Sequence, residues 1–285
     1  MIKRVLVKTG EIEFDVRISG QGRPFIWGHG LTSSMDGEDA LDIFKWNDFS
    51  DTIRLIRYDA RGHGGTAPSY LPDDYHWRCL AEDMTAIADA LRMERYMAGG
   101  QSMGCATAIY AALKAPRRIR GLVLATPPTA WEKRKAVSVA YRKMAQTDAL
   151  LGGRQLAELA FRRLRYSPPD WLSGAPEEKI RSTLAGLKTM DRKTLSALYA
   201  GAASTDLPPR EAIRAIEVPA LILAWAGDPG HPLEIAVELN QLLARSRLVV
   251  AERFADIGRW PVLMRAFIAD PNSVSAARND IASDV

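Results

Sequence analysis

The chain has 285 residues, of which 47% are hydrophobic and 25% charged, and its net charge is +4. This is the composition of a globular protein large enough to bury one core, or a core with an insertion. No apolar run approaches the roughly 18–20 residues that cross a bilayer, and no basic stripe with interleaved aromatics points to nucleic acid or a membrane surface.

In chain order, Ile2–Lys8 and Ile12–Ser19 alternate in polarity and read as two strands joined at Gly10, not as a secretory signal. Phe25-Ile26-Trp27 is a short buried strand running into Gly28-His29-Gly30. Ile53–Tyr58 is another, ending at Asp59-Ala60-Arg61-Gly62-His63-Gly64. Trp77–Leu91 has helical spacing, with Leu80, Met84, Ile87 and Leu91 on one face and Asp83 and Asp89 off it. Tyr96-Met97-Ala98 reads as a strand and Cys105–Leu113 as a helix, and Gly121–Ala125 is a further strand. Alternation then stops. From Trp131 to about Thr205 the chain is helical in character, with breaks at Gly152-Gly153, Pro168-Pro169 and Gly174. Strands return at Pro219–Trp225 and Leu248–Val250, followed by helices over Leu233–Ala244 and Pro261–Ile268. The residues after Asp270 are small and polar, so the tail is expected to fray over 271–285.

Strands alternating with helices predict an α/β fold with a mostly parallel sheet covered on both faces. The core should comprise residues 1–130 and 206–270, with 131–205 as a helical lid over the strand ends. Residues 131–205 carry 14 Lys/Arg against 7 Asp/Glu, an excess of +7 that leaves −3 for the rest of the chain. A basic lid would draw an anionic substrate to the cleft, although a solvated helical face explains the same charge. The 2 cysteines, Cys79 and Cys105, both fall in helical runs with apolar neighbours. They point to a reduced, cytoplasmic protein without disulfides or zinc. No glycine-rich phosphate loop follows a strand and no cluster has metal-ligand spacing, so no cofactor and no metal are expected. The oligomeric state cannot be read.

Gly100-Gln101-Ser102-Met103-Gly104 is a G-x-S-x-G run between a strand and a helix, the setting of a nucleophile elbow. Small residues around Ser102 allow the strained turn that lifts its hydroxyl into a cleft. With this run, the His29-Gly30 pair, the Asp59–Gly64 stretch and Gly227-Asp228-Pro229-Gly230-His231-Pro232 occur in order, each after a strand. Through these motifs nearly the whole chain resembles the α/β-hydrolase family. The resemblance implies a serine esterase or lactonase with a mostly parallel sheet and an inserted helical lid. Ser102 would be the nucleophile, Asp228 the acid, and the N–H groups of Leu31 and Met103 the oxyanion donors. It implies structural roles for His29, Gly30, Asp59, Arg61, Gly62, His63, Gly100 and Gly104. Serine at the elbow argues against the dehalogenase and epoxide-hydrolase branches, which use aspartate.

One departure stands out. The family's catalytic histidine should follow the last strand, about seven residues before Pro261, yet no histidine occurs after His231. Of the 4 histidines, His29 and His63 have loop roles by resemblance and His76 reads as a surface or cap residue. His231 lies three residues after Asp228. It is either a base that has moved to a new loop or a polar lining residue; Asp256 in the vacated loop is a weaker substitute. Two functions follow: hydrolysis of a small ester or lactone by a rearranged triad, or a ligand-binding or regulatory module in which Ser102 is a relic. Trp131, Tyr141, Phe161, Tyr166, Trp171 and Tyr199 should mostly pack the lid against the core, and Arg162, Arg163 and Arg165 either meet a carboxylate or sit on a solvated helix.

Overall fold

The computed structural model describes residues 2–49, 52–166, 173–228 and 230–272. Among the described residues eight strands form one sheet: β1 (Ile2–Thr9), β2 (Ile12–Ser19), β3 (Arg23–Gly28), β4 (Ile53–Tyr58), β5 (Tyr96–Gln101), β6 (Ile119–Ala125), β7 (Ala220–Trp225) and β8 (Ser246–Ala251). Their spatial order is β1-β2-β4-β3-β5-β6-β7-β8. The β1–β2 hairpin pairs antiparallel to β4, and every later pairing is parallel. Strand alternation sorts the apolar side chains into two cores. Ile26, Ala98, Leu122, Leu124, Ile222 and Ala224 face one core. Phe25, Trp27, Met97, Val123, Leu221 and Leu223 face the other.

The first core is covered by α2 (Trp77–Ala90), α3 (Met103–Lys114) and α10 (Leu233–Leu242), whose Leu80, Met84, Ile87, Ile109 and Leu239 are buried in it. The second is an aromatic cluster closed by α12 (Trp260–Ala269) and a short turn of helix at Trp46–Phe49. Trp27 meets Phe44 at 4.7 Å and Trp46 at 5.1 Å, both edge-on. Such pairs add about 0.5–1.5 kcal/mol each beyond the area they bury. No helix among the described residues is long and apolar enough to cross a membrane.

Between β6 and β7 the chain runs through α4 (Arg134–Gln146), α5 (Gly153–Tyr166), α6 (Glu177–Thr183), α7 (Ala185–Thr189), α8 (Arg192–Ser204) and α9 (Arg210–Arg214). This segment has its own apolar cluster, which includes Ala145, Ala157, Leu187, Leu195, Leu198 and Tyr199. Buried Arg134 ties both of its ends together. The guanidinium donates to Thr129 Oγ1 (3.3 Å) before the insertion, and to Ala202 O (2.5 Å) and Thr205 O (3.0 Å) where it returns.

Several expectations need correction. Helix α1 (Met35–Leu41) and the Trp46–Phe49 turn carry no periodic signal in the sequence, yet both form. Asp83 is buried, held by Arg61 through Nε (2.8 Å) and Nη2 (2.6 Å). Of the aromatics in the insertion, Phe161 is buried under Arg181 (3.6 Å), and Tyr141 stacks on Tyr199 (6.2 Å). Tyr166 is 82% exposed and packs on neither. Trp171, the Pro168-Pro169 break and the expected fraying beyond Asn272 lie outside the described residues.

Candidate active site

The loops after β3, β4, β5 and β7 all leave the C-terminal ends of strands that run parallel in one sheet, where open α/β sheets gather their ligands. Ser102 sits between β5 and α3 with φ 53° and ψ −108°. A non-glycine residue at positive φ costs on the order of 1–3 kcal/mol and persists only where its surroundings over-determine it. Here the surroundings are crowded backbone. A Cβ on Gly100 would lie 2.2 Å from Gly104 C, and one on Gly104 would lie 2.0 Å from Gly28 O. Only glycine lets β3, β5 and α3 approach this closely. Ser102 N donates to Ala125 O (3.1 Å), which pins the turn to β6.

His231 stands beside the serine. Ser102 Oγ lies 2.9 Å from His231 Nε2, and His231 Nδ1 lies 2.7 Å from Asp228 Oδ2. With Nδ1–H donating to the carboxylate, Nε2 is left free to accept the Ser102 hydroxyl proton. Asp228 and His231 come from one turn after β7, closed by His231 N donating to Asp228 O (3.2 Å). Gly230 N also donates to Asp228 Oδ1 (2.9 Å). Burial pushes the Asp228 carboxyl up, but the bond to His231, its charge and the two amides outweigh burial and hold it below the usual range.

The amides of Leu31 and Met103 are the expected oxyanion donors. Met103 is the first residue of α3, so its N–H has no intrahelical acceptor. Ser33 N donates to Gly30 O (3.1 Å), closing a turn with Leu31 and Thr32 at its centre. A Cβ on Gly30 would lie 3.7 Å from Ser102 Cβ, so this turn lies against the serine. Among the described residues the Leu31 amide has no acceptor within the chain.

The other histidines are held elsewhere. His29 Nδ1–H donates to Gly30 O (2.8 Å), and its Nε2 accepts from Ala60 N (3.0 Å). His63 Nδ1–H donates to Arg61 O (2.9 Å), and its Nε2 accepts from Thr32 N (3.2 Å). Burial pushes His29 down to about 4 and His63, with His29 beside it, down to about 3, so both stay neutral. Asp59 bridges the two loops by accepting from Met35 N (2.7 Å) and Gly65 N (2.9 Å). The expected brace at Arg61 extends further than foreseen, through Asp83 and Asp74 (3.2 Å). Gly62, at φ 72°, accommodates Tyr75 at a point where a Cβ would sit 2.5 Å from its hydroxyl. His76 bonds Ser204 Oγ (2.8 Å), on the surface.

The structure does not bring Asp256 to the serine. Its carboxylate caps the short helix α11 (Phe254–Ile257) by accepting from Arg253 N (3.0 Å), and that bond holds it below the usual carboxylate range. A base needs the opposite shift. Arg162 and Arg165 pair with Glu158 (3.4 Å) and Glu177 (3.3 Å) at the surface. Among the described residues no three His, Cys, Asp or Glu side chains group as a metal site. Thr32 went unnoticed in the sequence: no motif marks it, and its φ of 60° appears only in three dimensions.

Comparison with known proteins places the chain. A family model described as alpha/beta hydrolase fold matches residues 23–261. The chain is 28% identical over 255 residues to the AB hydrolase superfamily protein YisY of Bacillus subtilis, covering 85% of this chain and 88% of that one. It is 28% identical over 206 residues to 3-oxoadipate enol-lactonase 2 of Acinetobacter baylyi, covering 72% of each. The crystal structure of a hydrolase from Pseudomonas aeruginosa PA01 superposes with a TM-score of 0.75 at 24% identity, covering 93% of this chain and 98% of that one. The chain therefore belongs to the alpha/beta hydrolase fold family.

Proposed function

We propose that the protein hydrolyses a carboxylic ester or lactone through an acyl-Ser102 intermediate, with a triad whose base and acid share one loop. The observation that carries this reading is the continuous chain Ser102 Oγ–His231–Asp228, at 2.9 Å and 2.7 Å. The relative from Acinetobacter baylyi, an enol-lactonase, supports the substrate class.

The chemistry follows from the contacts. His231 Nε2 takes the Oγ proton as Oγ attacks the carbonyl carbon. Negative charge builds on the carbonyl oxygen and is met by the amides of Leu31 and Met103, groups already fixed before the reaction begins. Collapse breaks the bond to the leaving oxygen, which takes the proton from His231. A water then gives its proton to His231 and attacks the acyl carbon; the bond to Ser102 Oγ breaks, Oγ takes the proton back from His231 Nε2, and the acid leaves. Asp228 holds the imidazole in the tautomer that leaves Nε2 bare, and it stabilises the imidazolium. Helices α4–α8 form a lid over this end of the sheet. Loss of the late histidine is compensated because a residue three positions after the acid reaches the same hydroxyl.

A fluorophosphonate probe tests the reading. Wild-type protein should be labelled on Ser102, and His231→Ala should lose labelling by at least about a hundredfold. Unlabelled wild-type protein would leave a binding scaffold with a relic serine.

A further inference from the structure

We infer that His63 is a positioning residue for the Leu31 amide: by accepting the Thr32 N–H, it fixes the Gly30–Ser33 turn so that the Leu31 N–H is left facing the oxygen of the carbonyl whose carbon Ser102 attacks. This rests on the reading of Ser102 as nucleophile.

The turn closed by Ser33 N and Gly30 O has two central amides that it does not use itself, those of Leu31 and Thr32. Two free amides leave the turn free to tilt. Thr32 also sits at φ 60°, a conformation that a non-glycine residue does not keep without help. His63 Nε2 takes the Thr32 amide at 3.2 Å, so one free N–H remains, that of Leu31. The peptide carrying that N–H is held at its other end. Its carbonyl, Gly30 O, accepts from both His29 Nδ1 (2.8 Å) and Ser33 N (3.1 Å). In a trans peptide the N–H points opposite to the C=O. Anchoring the carbonyl on the histidine side therefore aims the Leu31 N–H away from it.

His63 is a firm post. It is 1% exposed, packs edge-on against His29 at 4.9 Å, and donates Nδ1–H to Arg61 O (2.9 Å). Arg61 is itself fixed by two bonds to Asp83. Asp59 adds a second tie on the far side of the turn through Met35 N (2.7 Å). Burial keeps His63 neutral, so the Nε2 lone pair stays available.

The test compares His63→Phe, which keeps the ring volume but has no acceptor, with His63→Gln, whose side-chain oxygen restores one. An aryl ester gives kcat and KM, and an arylboronic acid probes the tetrahedral state. Phe should lower kcat about 10- to 100-fold, as a misplaced oxyanion donor does. KM should stay within about 2-fold, boronate affinity should fall by the same factor as kcat, and Gln should recover most of both. Unchanged kcat and boronate affinity in the Phe variant would overturn the inference. So would equal losses in Phe and Gln, which would mark a merely structural role. Should Phe fail to fold, the native protein still decides: its long-range proton–nitrogen spectrum should show His63 Nε2 bare at pH 7, with the Thr32 amide protected from exchange. A protonated Nε2 or an unprotected amide would contradict the inference. Wild-type protein without esterase activity or Ser102 labelling would instead remove the reading of Ser102 itself.

Discussion

Glu38 offers a sharp test of how this fold tolerates buried charge near the site. It lies in the first turn of α1, just after the Gly30–Ser33 turn, and its side chain is buried. Oε1 accepts from Trp27 Nε1 (2.9 Å), while Oε2 has no hydrogen-bond partner among the described residues. Arg57 Nη1 is 4.0 Å away and is committed to Asp39 at 2.6 Å. Burial therefore wins over Arg57, and the carboxyl is pushed from 4.5 up to about 7. A raised acid binds its proton more tightly in the folded state, so the contribution of Glu38 to stability is full below pH 4.5 and is lost as pH rises through 7. At ~1.4 kcal/mol per pKa unit the loss reaches about 3 kcal/mol. Glu38→Gln keeps the acceptor for Trp27 and cannot ionise. Urea denaturation of both proteins between pH 4.5 and 8.5 should show the variant gaining about 3 kcal/mol relative to wild type across that window. A constant difference between the two would refute this account of Glu38, whatever the offset at any one pH.

Three further outcomes follow from the site. Asp228→Asn replaces an acceptor-only carboxylate by an amide that can donate to His231 Nδ1 and favour the tautomer with Nε2 protonated, so kcat on an aryl ester should fall about 10⁴-fold with little change in stability, as when a triad's orienting carboxylate becomes an amide. Gly104→Ala forces a Cβ to within 2.0 Å of Gly28 O and 2.4 Å of Gly28 C, backbone atoms that no side-chain movement clears. It should cost at least about 3 kcal/mol in urea denaturation, and a variant as stable as wild type would mean the elbow is not packed as described. Asp256→Asn should leave kcat within about 2-fold, because that carboxylate serves only the end of α11; a large loss would reopen its candidacy as base.

The strands were legible because period-2 alternation is set by the chain itself. Leu221, Ile222 and Leu223 alternate between the two cores as their spacing requires. The limits of β5 were less so: two glycines hide a strand that runs on to Gln101, since glycine has no side chain to show the pattern. Helix α1 has only seven residues and owes its place to packing. A Cβ on its Gly37 would meet Thr183 O at 3.3 Å, a contact with the insertion that no local signal announces. Asp83 looked solvent-facing by helical spacing but is buried because Arg61, distant in sequence, pairs with it. Ser102, Asp228 and His231 could each be picked out by motif or by elimination. Their meeting could not, because it depends on how far the β7 loop reaches across β6 toward the end of β5.

The most direct measurement is rapid-quench hydrolysis of a nitrophenyl ester, with mass spectrometry of the peptide that contains Ser102. Wild-type protein should release a burst of nitrophenol equal to the enzyme present and carry the acyl group on Ser102, whereas His231→Ala should show neither on the same timescale. Acylation of the alanine variant at the wild-type rate would contradict the assignment of the imidazole as the group that accepts the serine proton.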